Sequence, residues 1–295
     1  GSLSDKLAYI NLASASEIKK LNESISSYRT LGFFGRVNYN YAEKYLFEIS
    51  GRYDGTSRFP KGQRWGFFPS ASTGWRISEE PFWRPLKGWW NNAKLRLSYG
   101  SLGNQQVSNY YYIDKISLGK LNYTLNDTEA LQGATMSAPV SSDLTWETVI
   151  TYNAGLDLGF LRDRINISAD VFVRDTKNML TTAMTLPNVY GAAAPKMNAA
   201  DLRTTGFELA VSWKDKVEVA GKPMFYGITA TLGDNISKIT KYNNPTKLLS
   251  DKYEGMTLGE IWGYHVLGLF ESDDEAAEWE NTYDISVVNA KELKA

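Results

Sequence analysis

The chain has 295 residues, a formal net charge of −1, 43% hydrophobic residues and no cysteine. The apolar fraction excludes a chain disordered throughout, and the balanced charge offers no basic surface for nucleic acid. Without cysteine there is no disulfide, no thiolate nucleophile and no zinc–thiolate site.

Residues 1–30 read as a loop leading into the first strand, and Gly1 to Tyr9 has neither the basic start nor the apolar core of a signal peptide. The first clear alternation falls in 31–42, where Phe33, Val37, Tyr39 and Tyr41 oppose Arg36, Asn38 and Asn40. In 44–54, Tyr45, Phe47, Ile49 and Tyr53 oppose Lys44, Glu48, Ser50, Arg52 and Asp54. Segment 65–77 alternates less cleanly, and in 93–101 Leu95, Leu97 and Tyr99 oppose Lys94, Arg96 and Ser98. Segment 147–160 sets Ile150, Tyr152, Ala154, Leu156, Leu158 and Phe160 against Thr151, Asn153 and Asp157. Segment 163–175 sets Ile165, Ile167, Ala169, Val171 and Val173 against Arg164, Asn166, Ser168, Asp170 and Arg174. In 202–214, Phe207, Leu209, Val211 and Trp213 oppose Glu208 and Ser212, and 224–238 alternates weakly. Successive side chains of a strand point to opposite faces, so each segment is expected to be a strand with one apolar and one polar face.

These strands exceed the usual ~5–6 residues of soluble sheets and reach the ~9–11 that a tilted strand needs to cross a bilayer. No stretch approaches the ~18 consecutive apolar residues of a membrane-spanning helix. The connections alternate in length. Short ones are expected at Ala42-Glu43, Leu161-Arg162 and 215–223, with a medium link at 78–92. Longer ones are expected at 55–64, 102–146, 176–201 and beyond 241. Outer-membrane barrels have short periplasmic turns and long extracellular loops. Aromatics (18 Tyr and 9 Trp in the chain) gather at strand ends, with Tyr39, Tyr41 and Tyr45 at one end and Tyr53 and Trp65 at the other, as in interfacial girdles.

The run Leu31-Gly32-Phe33-Phe34-Gly35-Arg36-Val37-Asn38-Tyr39 with Glu43-Lys44-Tyr45-Leu46 resembles the barrel of SusC/RagA-like TonB-dependent outer-membrane transporters. So do Arg52-Tyr53-Asp54-Gly55-Thr56-Ser57-Arg58-Phe59, Trp65-Gly66-Phe67-Phe68-Pro69-Ser70 and Gly74-Trp75-Arg76-Ile77-Ser78-Glu79-Glu80-Pro81-Phe82. Lys94-Leu95-Arg96-Leu97-Ser98-Tyr99-Gly100 with Gly103-Asn104-Gln105 continues the match, and weaker echoes reach Gly268-Leu269-Phe270. The resemblance implies an all-β fold: an antiparallel up-and-down transmembrane barrel segment over 31–270, incomplete as a barrel, followed by an acidic loop or helical segment over 271–295. It implies residence in the bacterial outer membrane and import of oligosaccharides or peptides. Its implied partners are a SusD-like surface lipoprotein, outer-membrane lipid, and the TonB complex acting through a plug. Residues 1–30 are too short to be that plug, and the chain stops at Lys294-Ala295 on a polar segment, so a fragment is expected.

Enzyme chemistry has little to stand on. His265 is the only histidine, so neither a two-histidine metal site nor a persuasive Ser-His-Asp triad is expected. The acids Glu271, Asp273, Asp274 and Glu275 lack the spacing of a calcium loop, while Ser272 with Glu275 fits a capping box at a helix start. No catalytic, cofactor, metal or ligand-contact residue is assigned. In the barrel reading the acids Glu48, Asp157, Asp170 and Glu208 and the arginines Arg36, Arg52, Arg96, Arg164 and Arg174 line the polar interior and pair across strands or with the plug; in a soluble reading the same face meets water. Trp83, Trp89 and Trp90 could stack a sugar ring, but their place on the expected periplasmic link favours an interfacial anchor or local packing. The alternative reading is a soluble all-β carbohydrate-binding module with its apolar faces packed as two sheets. Where the apolar face points separates the two.

Overall fold

The computed structural model describes residues 25–125, 129–136, 139–182, 189, 194–245, 249, 251–266 and 268–282. These fall in two compact units, Gly1–Leu258 and Gly259–Ala295.

The first unit is built on one antiparallel sheet of eight strands. In chain order these are β1 (Thr30–Tyr41), β2 (Tyr45–Thr56), β3 (Trp65–Arg76), β4 (Trp90–Asn104), β7 (Glu147–Phe160), β8 (Ile165–Thr182), β9 (Lys196–Val219) and β10 (Lys222–Lys241). Each pairs with its neighbours in that order, which makes the sheet an up-and-down meander. A separate hairpin of β5 (Ile116–Leu125) and β6 (Glu129–Met136) interrupts the connection between β4 and β7.

The turns at one end are tight. Lys44 N–H donates to the Tyr41 carbonyl (3.0 Å) across Ala42 and Glu43, whose φ values are 53° and 57°. Positive φ at both central residues gives the twist that suits a hairpin. Leu161, Arg162 and Asp163 (φ 53°, 62° and 63°) play the same part between β7 and β8, and Ala220-Gly221 between β9 and β10. Residues 215–223 are therefore not the expected link, because both strands continue to a two-residue turn. Likewise β8 runs on to Thr182 and β9 begins at Lys196, so the long connection expected over 176–201 shrinks to 183–195.

Buried apolar residues are few. Phe59, Phe68, Leu144 and Trp146 form the cluster, with Val107, Tyr111 and Leu180 against it. It lies where the longer connections emerge, not beneath the sheet. In the second unit, α1 (Asp273–Thr282) is capped as its sequence suggests: Glu275 N–H donates to Ser272 Oγ (3.2 Å). The reciprocal bond differs from a capping box, since Glu275 Oε2 accepts from Glu271 N–H (2.7 Å) instead of Ser272.

Candidate functional site: a two-faced membrane wall

The register places like with like across the whole sheet. One row of paired residues reads Tyr41, Tyr45, Trp75, Leu95, Leu156, Ala169, Leu209, Leu232 from β1 to β10. The row two residues along reads Tyr39, Phe47, Thr73, Leu97, Ala154, Val171, Phe207, Asp234, with Thr73 and Asp234 as its polar exceptions. The opposite face is polar: Arg36, Ser50, Ser70, Gly100, Thr151, Arg174, Thr204, Ser237 form one row.

The apolar face is uncovered. Val37 is 70% exposed, Ile49 65%, Val171 58% and Ile228 68%. A sandwich would bury this face against a second sheet ~10 Å away. Among the described residues no second sheet lies there, and the β5–β6 hairpin is the only other sheet. So wide an apolar surface exceeds what a water-soluble monomer leaves open, and it is what lipid requires.

The stagger of the turns gives the strand tilt. The β1–β2 hairpin closes on Tyr41 and Tyr45. Followed along its row across the sheet, that closure reaches Leu156, yet the β7–β8 hairpin closes on Phe160 and Ile165. Between these two turns the slip is about one residue per strand, ~3.3 Å along for ~4.8 Å across, which corresponds to a tilt of roughly 35° with both at one level; the β9–β10 hairpin runs further, to Val219 and Lys222. Transmembrane barrels have strands tilted ~35–45°.

On the polar face, ion pairs link strands. Arg96 on β4 donates from Nε to Asp157 Oδ2 on β7 (2.8 Å) and from Nη2 to Asp170 Oδ2 on β8 (2.9 Å), and Ser168 Oγ donates to Asp157 Oδ1 (2.9 Å). Arg36 meets Glu48 (3.5 Å), and Arg203 grips Asp175 with two bonds (2.6 and 2.8 Å). Two of the arginines expected on this face make other contacts within this chain. Arg52 pairs with Asp54 on its own strand, since residues two apart share a face, and Arg174 lies 5.6 Å from the Phe172 ring. Arg164 does pair across, with Asp215 (3.3 Å).

Aromatics mark both ends. Tyr41 and Tyr45 stack at the turn end (6.4 Å), and Trp65 stacks on Tyr53 (4.8 Å) and Phe33 (6.4 Å) at the other. Trp83, Trp89 and Trp90 pack on one another and on Phe160 at the turn end, and Trp83 Nε1 donates to the Trp90 carbonyl (3.0 Å). Beside them Glu80 receives Tyr45 OH (2.7 Å), Lys44 Nζ (3.1 Å) and Trp75 Nε1 (3.2 Å). The Tyr45 hydroxyl, and after it the Lys44 ammonium, hold the Glu80 carboxyl below the usual carboxylate range. This ties the first hairpin to the β3–β4 link.

At the loop end, Trp146 Nε1 donates to the Arg64 carbonyl (3.1 Å), and its ring meets Phe59 (5.4 Å) and Phe68 (5.3 Å). Phe68 lies over Gly66 and Gly103, where any Cβ would overlap its ring. No periodic signal marks Phe59 or Leu144, which sit in connections. His265 is exposed and outside any helix or strand, and no metal-binding cluster occurs among the described residues.

A tilted antiparallel meander, apolar and open on one face, polar and ion-paired on the other, with tight turns at one end, defines a segment of a transmembrane β-barrel wall. The chain belongs to the family described as "TonB dependent receptor-like, beta-barrel", whose model matches residues 5–267. Members of this family are outer-membrane receptors and transporters, not enzymes. The chain is 30% identical to TonB-dependent receptor P39 of Formosa agariphila, covering 83% of this chain and 23% of that protein. It is 31% identical to TonB-dependent receptor SusC of Bacteroides thetaiotaomicron, covering 72% and 21%. Its structure is similar to that of the RagAB peptide transporter, with a TM-score of 0.65 and 27% identity over 81% of this chain and 25% of that one. The chain thus spans between a fifth and a quarter of the length of these relatives.

Proposed function

We propose that the chain forms part of the wall of an outer-membrane importer that takes up oligosaccharides or peptides together with a SusD-like surface lipoprotein. The TonB complex drives uptake through a plug filling the lumen. In this reading residues 31–270 are barrel segment, residues 1–30 lead into it, and 271–295 form an acidic loop and helix. The observation that carries the reading is the uncovered apolar face running across all eight strands. Similarity to SusC and to RagAB, itself a peptide transporter, supports the import role. The polar face lines the passage, and the connections 102–146, 183–195 and 241–260 shape ligand access and contact the lid. Parts of all three lie outside the described residues.

The first of these connections supplies the test. The ends of the β5–β6 hairpin, Ile116 and Met136, are register partners, so a short Gly-Ser turn can replace the hairpin without straining its stem. In the full-length importer this deletion is expected to impair uptake or lid docking while the barrel still assembles. Unchanged uptake and docking would count against the role assigned to this connection.

A further inference from the structure

The residues that follow β2 reach three different parts of the molecule in succession. Ser57 bonds the segment entering β1: its N–H donates to the Arg29 carbonyl (3.0 Å), and its Oγ accepts from Arg29 N–H (2.9 Å). Phe59 is fully buried against Trp146. Arg58, between them, serves two segments at once. Its guanidinium lies 3.9 Å over the Tyr28 ring, while Nε donates to Asn109 Oδ1 (3.0 Å) and Nη1 to the Gln105 carbonyl (3.3 Å).

The two segments Arg58 touches also bond each other. Asn109 Nδ2 donates to Ser26 Oγ (2.7 Å), and Ser27 N–H donates to the Tyr110 hydroxyl (3.2 Å). Tyr110 has φ 62°, a left-handed backbone that a bulky residue adopts only when its surroundings hold it there. Beyond it, the Tyr111 hydroxyl accepts from Lys196 N–H at the start of β9 (3.1 Å). The strained residue and its bonded neighbours lie at the base of the β4–β5 connection.

We propose that Arg58 is a positioning residue: a latch that fixes the base of the β4–β5 connection to the segment entering β1. The planar guanidinium is suited to this. It stacks on Tyr28 with its face while its edge donates to Asn109 and Gln105, a combination a lysine ammonium cannot provide. Displacing the segment before β1 then displaces the base of the connection, and the reverse. The consequence for uptake rests on the function proposed above for that connection; the latch itself does not.

The test is hydrogen exchange on the full-length, membrane-assembled protein, with uptake measured in parallel. Arg58→Ala is expected to speed exchange over 26–29 and 105–113 on the order of tenfold, from the lost cation–π contact and charged hydrogen bonds. Exchange in the centres of β2 and β3 should stay unchanged. Arg58→Lys should recover little, and Arg58→Ala with Asn109→Ala should exceed Arg58→Ala alone by much less than the product of the two. Should Arg58→Ala fail to assemble, Arg58→Lys and Asn109→Ala carry the same expectation at smaller amplitude. Unchanged exchange at 105–113, or independent effects of the two substitutions, would overturn the latch. Faster exchange with unchanged uptake would support the latch and count against the access role of the connection.

Discussion

Replacing Trp146 by alanine is expected to loosen the loop end of the sheet by about 3–5 kcal/mol, the range for a large aromatic removed from a packed core. Trp146 is 6% exposed, and its ring meets both Phe59 and Phe68 in the cluster. The change also leaves the Arg64 carbonyl without its indole donor. The loss should be local. Hydrogen exchange should quicken over 57–64 and 102–107, while the turn end, held by Glu80 and the Trp83–Trp90 contacts, keeps its protection. Trp146→Phe should restore most of the packing but not the bond to Arg64. Uniform loosening across the sheet would show that the cluster is not a separate keystone.

The second large effect separates lipid from water. Val171 lies on the apolar face, six residues into β8 from Ile165. At ~3.3 Å per residue this is about 20 Å along a strand tilted ~35–45°, near the middle of a ~30 Å hydrocarbon core. Val171→Arg should therefore destabilise the assembled barrel by about 2–4 kcal/mol. A solvent-facing site would register only about ±0.5 kcal/mol. Ser72→Arg is the control: Ser72 is exposed on the polar face, paired with Glu48 and Ser98, and should accept the charge. Unfolding of the refolded protein in lipid by denaturant compares the two. Equal effects would remove the distinction between the faces.

Much of the sheet is legible in the sequence because its two faces meet such different surroundings. Where alternation is clean, as in Ile165 to Val173, strand and face follow directly. It fails where register shifts. Asn178 has φ 56°, and the β8–β9 ladder slips between Thr176 and Leu180, so the pattern breaks although pairing continues to Thr182. Over 215–223 the charge density and Pro223 suggest a link. Pro223 is tolerated because it stands at the very start of β10, beside the Ala220-Gly221 turn. The loop-end cluster was illegible for another reason. Phe59, Leu144 and Trp146 meet across more than eighty residues of chain, which no local period reports. Arg58 likewise sits in the motif that carries the family resemblance, yet its work is visible only once Tyr28 and Asn109 are beside it.

The claim on which the rest depends is that one face of this sheet meets lipid and the other water. The segment has no native cysteine, so single thiols can be placed along β8 without background from it. In the full-length protein in membranes, Ile167→Cys, Ala169→Cys, Val171→Cys and Val173→Cys should react with a lipid-dissolved probe. Asn166→Cys, Ser168→Cys, Asp170→Cys and Arg174→Cys should react with a water-soluble one. Reactivity alternating with period two between the probes is the expected result. Water-soluble labelling at all eight positions, or at none of them, would contradict the membrane wall.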